Sequence, residues 1–159
     1  MHVTTEAVEA LAQMREAEGA RLEQELLAAV DAIEARGREI ATLSEAERDE
    51  RREQLIEKAG GLLEDLGLDE ARLYQEVARL VEKHDVNEEV ARLRSHVTQC
   101  RESLASEKPV GKTLDFLAQE LNREANTIGS KAASARLIAV VVQLKSEIER
   151  FREQVQNVE

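Results

Sequence analysis

The chain has 159 residues, of which 35% are charged, 2% are aromatic and one is proline, a composition that favours long helices with an aliphatic core and argues against a sheet protein. The formal net charge of −11 is carried entirely by residues 1–82, whereas residues 83–159 hold equal numbers of acidic and basic side chains. The first half therefore repels polyanions, and only the second half is compatible with a polyanionic ligand.

The apolar spacing predicts two long helices in the first half of the chain. The first extends to about Ile40, and the second begins at a capping box formed by Ser44 and Glu47. A short polar connection between two long helices is typical of an antiparallel hairpin. We assign residues 1–68 to this acidic helical hairpin.

Four more helices are predicted in the second half. One follows residue 69, one opens with a capping pair at Asp85, one spans residues 111–131 and one begins near Ser134. The predicted fold class is therefore all-α, with about six helices in total. Its long antiparallel helices form an extended hairpin, followed by a helical bundle that we assign to residues 69–159.

Cysteine content and hydropathy limit the cellular setting. The single Cys100 excludes an internal disulfide, and it falls in a row of apolar residues that predicts burial. The longest apolar run, residues 137–142, is too short to span a bilayer, and the acidic start is not typical of a secretory leader. We expect a cytoplasmic protein with no membrane partner.

The helix over residues 111–131 is the most unusual segment, because it contains many residues of low helix propensity. One face is apolar and predicts a core helix. The opposite face carries Lys112, Asp115, Gln119, Asn122, Arg123, Asn126 and Ser130. Such amides serve hydrogen bonds between helices, oligomer register, or contacts to phosphates and base edges. The sequence leaves these uses open.

Two rows of polar residues with four-residue spacing are candidates for chemistry. Glu120 and Glu124 lie one turn apart and can hold a hard cation such as Mg²⁺ or Mn²⁺, although many such pairs are simply solvated. Glu88, Arg92 and His96 form the second row. This row is either an exposed Glu–Arg pair, or a histidine that moves a proton or binds metal beside a carboxylate.

Two segments of the second half stand out, VNEEVARLRSH at residues 86–96 and GKTLDFLAQELNREANTIGSK at residues 111–131. They resemble the C-terminal region of the YicC/YloC family of bacterial proteins, and residues 142–159 resemble the family's C-terminus. The resemblance implies a divalent-metal-dependent endoribonuclease that acts on bacterial RNA and assembles as a homohexamer. Family members are nearly twice as long and begin with a separate domain containing β-structure, so we expect this chain to be a fragment.

Transferred onto this sequence, the resemblance implies three sets of residues. The catalytic set is His96, Glu120 and Glu124. The metal, Mn²⁺ or Mg²⁺, is expected at Glu88, Asp115, Glu120 and Glu124. The RNA contacts are expected at Arg92, Lys112, Gln119, Arg123, Asn126, Ser130 and Lys131. The expected function is the C-terminal part of an endoribonuclease that hydrolyses RNA phosphodiesters. The alternative is a non-catalytic helical module for oligomerisation or RNA clamping.

Overall fold

Five α-helices and no strand make up the residues that the computed structural model describes, which are 2–66, 70–106 and 108–158. The helices are α1 (His2–Leu66), α2 (Glu70–Glu82), α3 (Asn87–Leu104), α4 (Gly111–Lys131) and α5 (Ala135–Val155). The all-α prediction is confirmed. The bounds predicted for α4 are correct, and Ser134 caps α5 by accepting a hydrogen bond from the backbone N–H of Leu137 at 3.0 Å.

The central part of α1 joins α3, α4 and α5 in a four-helix bundle. Both α1 and α4 pack against α3 and α5, and α2 packs against α1. Neighbouring helices run antiparallel, as α1 and α3 illustrate. Arg101 of α3 donates to Asp31 of α1 at 2.5 Å, whereas Leu93, earlier in α3, lies against Gly37, later in α1.

The core of the bundle is aliphatic, with Phe151 as its largest fully buried side chain. The apolar face predicted for α4 is confirmed as core, since all of its members are buried: Leu114, Leu117, Ala118, Leu121, Ala125 and Ile128. Cys100 is also buried, as predicted, and this burial raises the pKa of its thiol to about 12. Helices α3, α4 and α5 therefore hold the polar residues on their outer faces in fixed positions.

The predicted break between two helices near residues 40–44 is wrong, because α1 continues without interruption to Leu66. Ser44 does not cap a helix; its Oγ donates to the carbonyl of Ala41, one turn earlier. Glu47 accepts a hydrogen bond from the Ser134 hydroxyl. The apparent capping box thus serves a contact between α1 and the start of α5, which reduces the six predicted helices to five in the described part of the chain.

The predicted connection at residues 67–69, and with it the domain boundary between residues 68 and 69, lies outside the described residues. This boundary stays a prediction.

Within α1, Gly37 has a structural reason, because a Cβ built on it would lie 2.6 Å from Cδ2 of the fully buried Leu93. The glycine permits the close approach of α1 and α3.

Helix α1 is much longer than the bundle that it joins. Its 65 residues span about 98 Å, whereas the 21 residues of α4 span about 32 Å. The part of α1 before the bundle exposes Val8, Leu11 and Met14, each more than half accessible. None of the described helices has a stretch both long enough and apolar enough to cross a membrane.

Candidate functional site

A cluster of three potential metal ligands lies where α3 and α4 pack together. One nitrogen of His96 and one carboxylate oxygen each of Glu120 and Glu124 all lie within 4.8 Å of one another. Glu124 is only 3% exposed, and Glu89 is the other charged residue that is buried in the described part of the chain. His96 and Glu120 are half-buried at the rim.

The position of the cluster follows from helix geometry. Residues four apart lie on the same face of a helix, so Glu120 and Glu124 stand one turn apart on α4. His96 occupies the facing side of α3, between the buried Leu93 and Cys100. Because α3 and α4 are long helices with apolar contacts on both sides of this point, the three side chains are held by rigid elements.

Arg92 provides the positive charge nearest to the buried carboxylate. Its Nη1 lies 3.7 Å from Oε1 of Glu124, and its Nη2 donates to the carboxylate of the exposed Glu88. The hydrogen bond and the charge of Glu88, with a smaller contribution from Glu124, raise the pKa of the Arg92 guanidinium. Arg92 therefore remains a cation at the edge of the cluster.

The donor set fits a divalent cation. The Nδ1 atom of His96 is buried and has no hydrogen-bond partner among the described residues, although a buried ring nitrogen is normally satisfied. A cation held by Glu120, Glu124 and a ring nitrogen of His96 would have three protein ligands. A nitrogen donor together with two carboxylates suits Mn²⁺ better than Mg²⁺, which prefers oxygen ligands.

Two of the predicted metal ligands lie apart from this cluster. The carboxylate of Glu88 is engaged by Arg92, and the Glu88 side chain is 71% exposed. Asp115 accepts a hydrogen bond from Gln119 at 2.9 Å. Asp115 also lies about 140° around α4 from Glu120, because each residue advances the helix by about 100°. The metal ligands that the structure brings together are thus Glu120, Glu124 and His96.

The predicted RNA-contacting residues lie at different distances from the cluster. Arg123 is 69% exposed and approaches Glu120 at 3.6 Å, so it lies beside the cluster. Lys112 is exposed at the start of α4, more than two turns before Glu120. Ser130 donates to the carbonyl of Thr127. The RNA contacts of these residues stay predictions.

Lys131 makes an ion pair inside the structure. Its Nζ donates to the buried carboxylate of Glu89 at 2.8 Å and to the carbonyl of Asp85 at 2.9 Å. The carbonyl of Lys131 lies 2.8 Å from Nδ1 of His84. These bonds fasten the end of α4 to the start of α3, so the Lys131 ammonium is already occupied by the fold.

The amide face of α4 lines an open groove toward α5, with a volume of about 610 Å³. Its lining residues are Ala118, Gln119, Asn122, Arg123, Asn126, Thr127 and Arg152. The amide of Asn126 donates to Oδ1 of Asn122 at 3.3 Å, one turn away on the same helix. Among the described residues this bond joins two positions of one helix, and Arg123 both lines the groove and approaches Glu120 of the His–Glu–Glu cluster.

Two residues of this region were missed by reasoning from the sequence. Glu89 could have been found, since it shares a helical face with Val86 and Leu93, where an acid requires a partner. No sequence pattern pointed to Arg152, which lies next to Phe151 at the border of the apolar face of α5. Its place in the groove depends on how α4 packs against α5.

The fold and the site together define an all-α protein with a candidate divalent-cation centre beside a cationic polar groove. Residues 40–159 match the model of a family described as "Endoribonuclease YicC-like, C-terminal", and the chain belongs to this family. The whole of the cluster and the groove lies within the matched residues.

Two curated relatives are similar over most of the chain. The "Probable endoribonuclease YicC" of Clostridioides difficile is 39% identical over 150 residues, which cover 94% of this chain and 51% of the relative. The protein of the same description from Haemophilus influenzae is 38% identical over 148 residues, covering 92% of this chain and 50% of the relative. The chain thus spans about half the length of the curated relatives it matches.

Proposed function

We propose that this chain carries the cleavage site of a metal-dependent endoribonuclease and that RNA is cut at the cluster of His96, Glu120 and Glu124. The observation that carries the proposal is the convergence of three ligand atoms within 4.8 Å around the buried Glu124. A buried carboxylate beside a second carboxylate is unfavourable unless a cation balances the charge. The endoribonuclease names of the relatives give the substrate class.

The three residues differ in exposure, and this difference suggests their roles. Glu124, which is buried, would hold the metal, and Glu120 would complete the carboxylate pair at the rim. His96 contributes a ring nitrogen to the same centre or moves a proton at the reacting oxygen. A Mn²⁺ or Mg²⁺ ion held there would act as a Lewis acid toward the phosphoryl oxygen and would activate water for the attack.

Two arginines flank the cluster and support a phosphate substrate. Arg92 approaches Glu124 at 3.7 Å and Arg123 approaches Glu120 at 3.6 Å. Guanidinium groups bind phosphate oxygens with paired donors and stabilise the charge that develops on them. Residues 83–159, which supply the whole site, carry no net charge despite the −11 of the chain. The site is therefore placed in the half that repels RNA least.

The proposal is tested with a structured RNA incubated with the chain in Mn²⁺, in Mg²⁺ and in a chelator. We expect cleavage with either metal, faster with Mn²⁺, and none with the chelator. Glu124→Gln removes a ligand charge and should reduce the rate by at least about a hundredfold. A 2′-deoxy substitution at the cleaved nucleotide should leave the rate unchanged, because the attacking group in hydrolysis is water.

The matched control is Glu102→Gln, an exposed acid on α3 outside the cluster. It should cleave at the rate of the unmodified chain. Cleavage that persists in a variant combining His96→Ala, Glu120→Ala and Glu124→Ala would refute the assignment of the site.

A second candidate function is a helical module for assembly, which includes the homohexamer implied by the family resemblance. It is supported by the projecting part of α1, where Val8, Leu11 and Met14 expose an apolar row at helical spacing. This candidate predicts that the unmodified chain sediments as an oligomer. The Leu11→Glu variant should sediment as a smaller species. A monomer at all concentrations would count against it.

A further inference from the structure

The groove between α4 and α5 is lined almost entirely by side chains that form hydrogen bonds. Ala118 is the one wholly apolar side chain among its seven lining residues. Its volume of about 610 Å³ falls within the range of small-molecule and cofactor sites. A protein helix docking there requires apolar anchors, and the groove offers none beyond that alanine. The lining therefore favours a polar ligand.

Two guanidinium groups face this groove from different helices, Arg123 from α4 and Arg152 from α5. Arg152 approaches Glu149 only loosely, at 3.8 Å. Its Nε is buried without a hydrogen-bond partner among the described residues, but the side chain as a whole is 41% exposed, so the guanidinium can meet a ligand through its other nitrogens. The groove lining contains no carboxylate. Planar guanidinium groups bind phosphates and stack on nucleobases, so this charge pair favours a nucleotide.

The amides add a means of contacting bases. The bond from Asn126 to Asn122 uses one donor and one acceptor of the pair. Each amide has a carbonyl and two N–H donors, so the pair retains both a donor and an acceptor for a ligand. Asn and Gln pair with adenine through this combination of groups. In double-stranded RNA that edge lies in a deep, narrow major groove that side chains cannot reach, so this contact requires an unpaired base.

We propose that the groove binds an unpaired segment of RNA that continues past Arg123 into the His96–Glu120–Glu124 cluster. Arg152 contacts a phosphate, while Asn122 and Asn126 contact a base, with adenine preferred. Arg123 marks the junction, because it lines the groove and approaches Glu120 of the cluster at 3.6 Å. This inference rests on the proposed function, since it names the form of RNA that the same site receives.

Binding is measured separately from cleavage, with fluorescence anisotropy of labelled oligoadenylate on the chain in a chelator. Arg152→Gln should weaken binding about tenfold and reduce the slope of log affinity against log salt by about 0.7, the value for one lost contact to a single strand. Asn126→Ala, at an exposed position, should weaken binding severalfold without changing that slope. The unmodified chain should bind oligoadenylate more tightly than the same strand in a duplex.

The control is Arg150→Gln, on the same helix and paired with Glu147 at the surface; it should bind as the unmodified chain does. Circular dichroism checks that each variant is folded. The proposal is overturned if Arg152→Gln and Asn126→Ala both bind normally. It is also overturned if they change the sedimentation of the chain with RNA affinity unchanged, since the groove is then an interface between copies.

The two proposals fail in different ways. If the chain does not cleave RNA with metal but its binding of RNA depends on Arg152, the proposed function is refuted and the groove remains an RNA site. If cleavage depends on His96 but not on Arg152 or Asn126, the groove is not the RNA site, and the proposed cleavage site stands.

Discussion

The side chain of Glu124 determines the electrostatics of the candidate site. Its side chain is buried, and the guanidinium of Arg92 approaches its carboxylate at 3.7 Å. Glu120 adds a second negative charge and is approached by Arg123 at 3.6 Å. Each acid thus has one arginine near it, so a divalent cation entering the cluster competes with positive charges that are already present. Arg92 is the closer competitor for the buried acid.

This competition gives a prediction for Arg92. Arg92→Gln should raise the affinity of the chain for Mn²⁺ severalfold, because the buried carboxylate loses its neighbouring cation, while the affinity for RNA should fall. Isothermal titration with Mn²⁺ measures the first effect without reference to activity. Arg94→Gln, at an exposed position on the same helix, is the control. An unchanged or weaker Mn²⁺ affinity in Arg92→Gln would show that Arg92 does not compete for the site.

At the level of single residues, spacing along one helix was sufficient to predict which residues of the candidate site share a helix face. The i,i+4 relation predicted the pair Glu120–Glu124, and the same rule placed Arg92 and His96 on one face of α3. Spacing could not show that His96 meets Glu124, because this contact depends on how α3 packs against α4. Asp115 could have been set aside from the sequence, since it lies about 140° around the helix from Glu120.

At the level of helices, local signals and tertiary packing disagree in α1. Ser44 and Glu47 have the spacing of a capping box, yet they lie inside a continuous helix. The helix continues because Ala41 and Leu43 still pack against the core at this point and because Glu47 binds Ser134, the cap of α5, instead of a free N–H of its own helix. The bounds of α4 could be predicted because its apolar period is regular and a loop containing proline precedes it.

The close contact of α1 and α3 gives a prediction for two glycines. Replacing either by alanine improves helix propensity by about 1 kcal/mol. At Gly37 the added Cβ meets Leu93 at 2.6 Å, whereas at Gly19 nothing lies within 4 Å. Gly37→Ala should therefore lower the melting temperature by roughly 2–4 °C, a net loss of about 1 kcal/mol from overpacking.

Gly19→Ala, the matched variant, should leave the melting temperature unchanged or raise it. Thermal unfolding followed by circular dichroism compares the two variants. A Gly37→Ala variant as stable as Gly19→Ala would show that α1 and α3 are not packed as described.

At the level of the whole molecule, the site and the long acidic helix are separate features. The cluster is formed by α3 and α4, both inside the region that matches the family. The net negative charge and the exposed apolar row belong to the first half of the chain. The proposed metal centre therefore lies within the bundle, whereas the exposed apolar row lies on the part of α1 that precedes the bundle. This division explains how a strongly acidic chain can present a site for a polyanion.

The most direct test is Mn²⁺ binding followed by electron paramagnetic resonance on the purified chain. We predict a bound Mn²⁺ signal with magnetic coupling to a nitrogen nucleus. His96→Ala should remove the nitrogen coupling, and Glu124→Gln should weaken Mn²⁺ binding at least about tenfold. Glu102→Gln should change neither. Mn²⁺ binding that shows no nitrogen coupling and is unaffected by Glu124→Gln would contradict the assignment of this cluster as the metal centre.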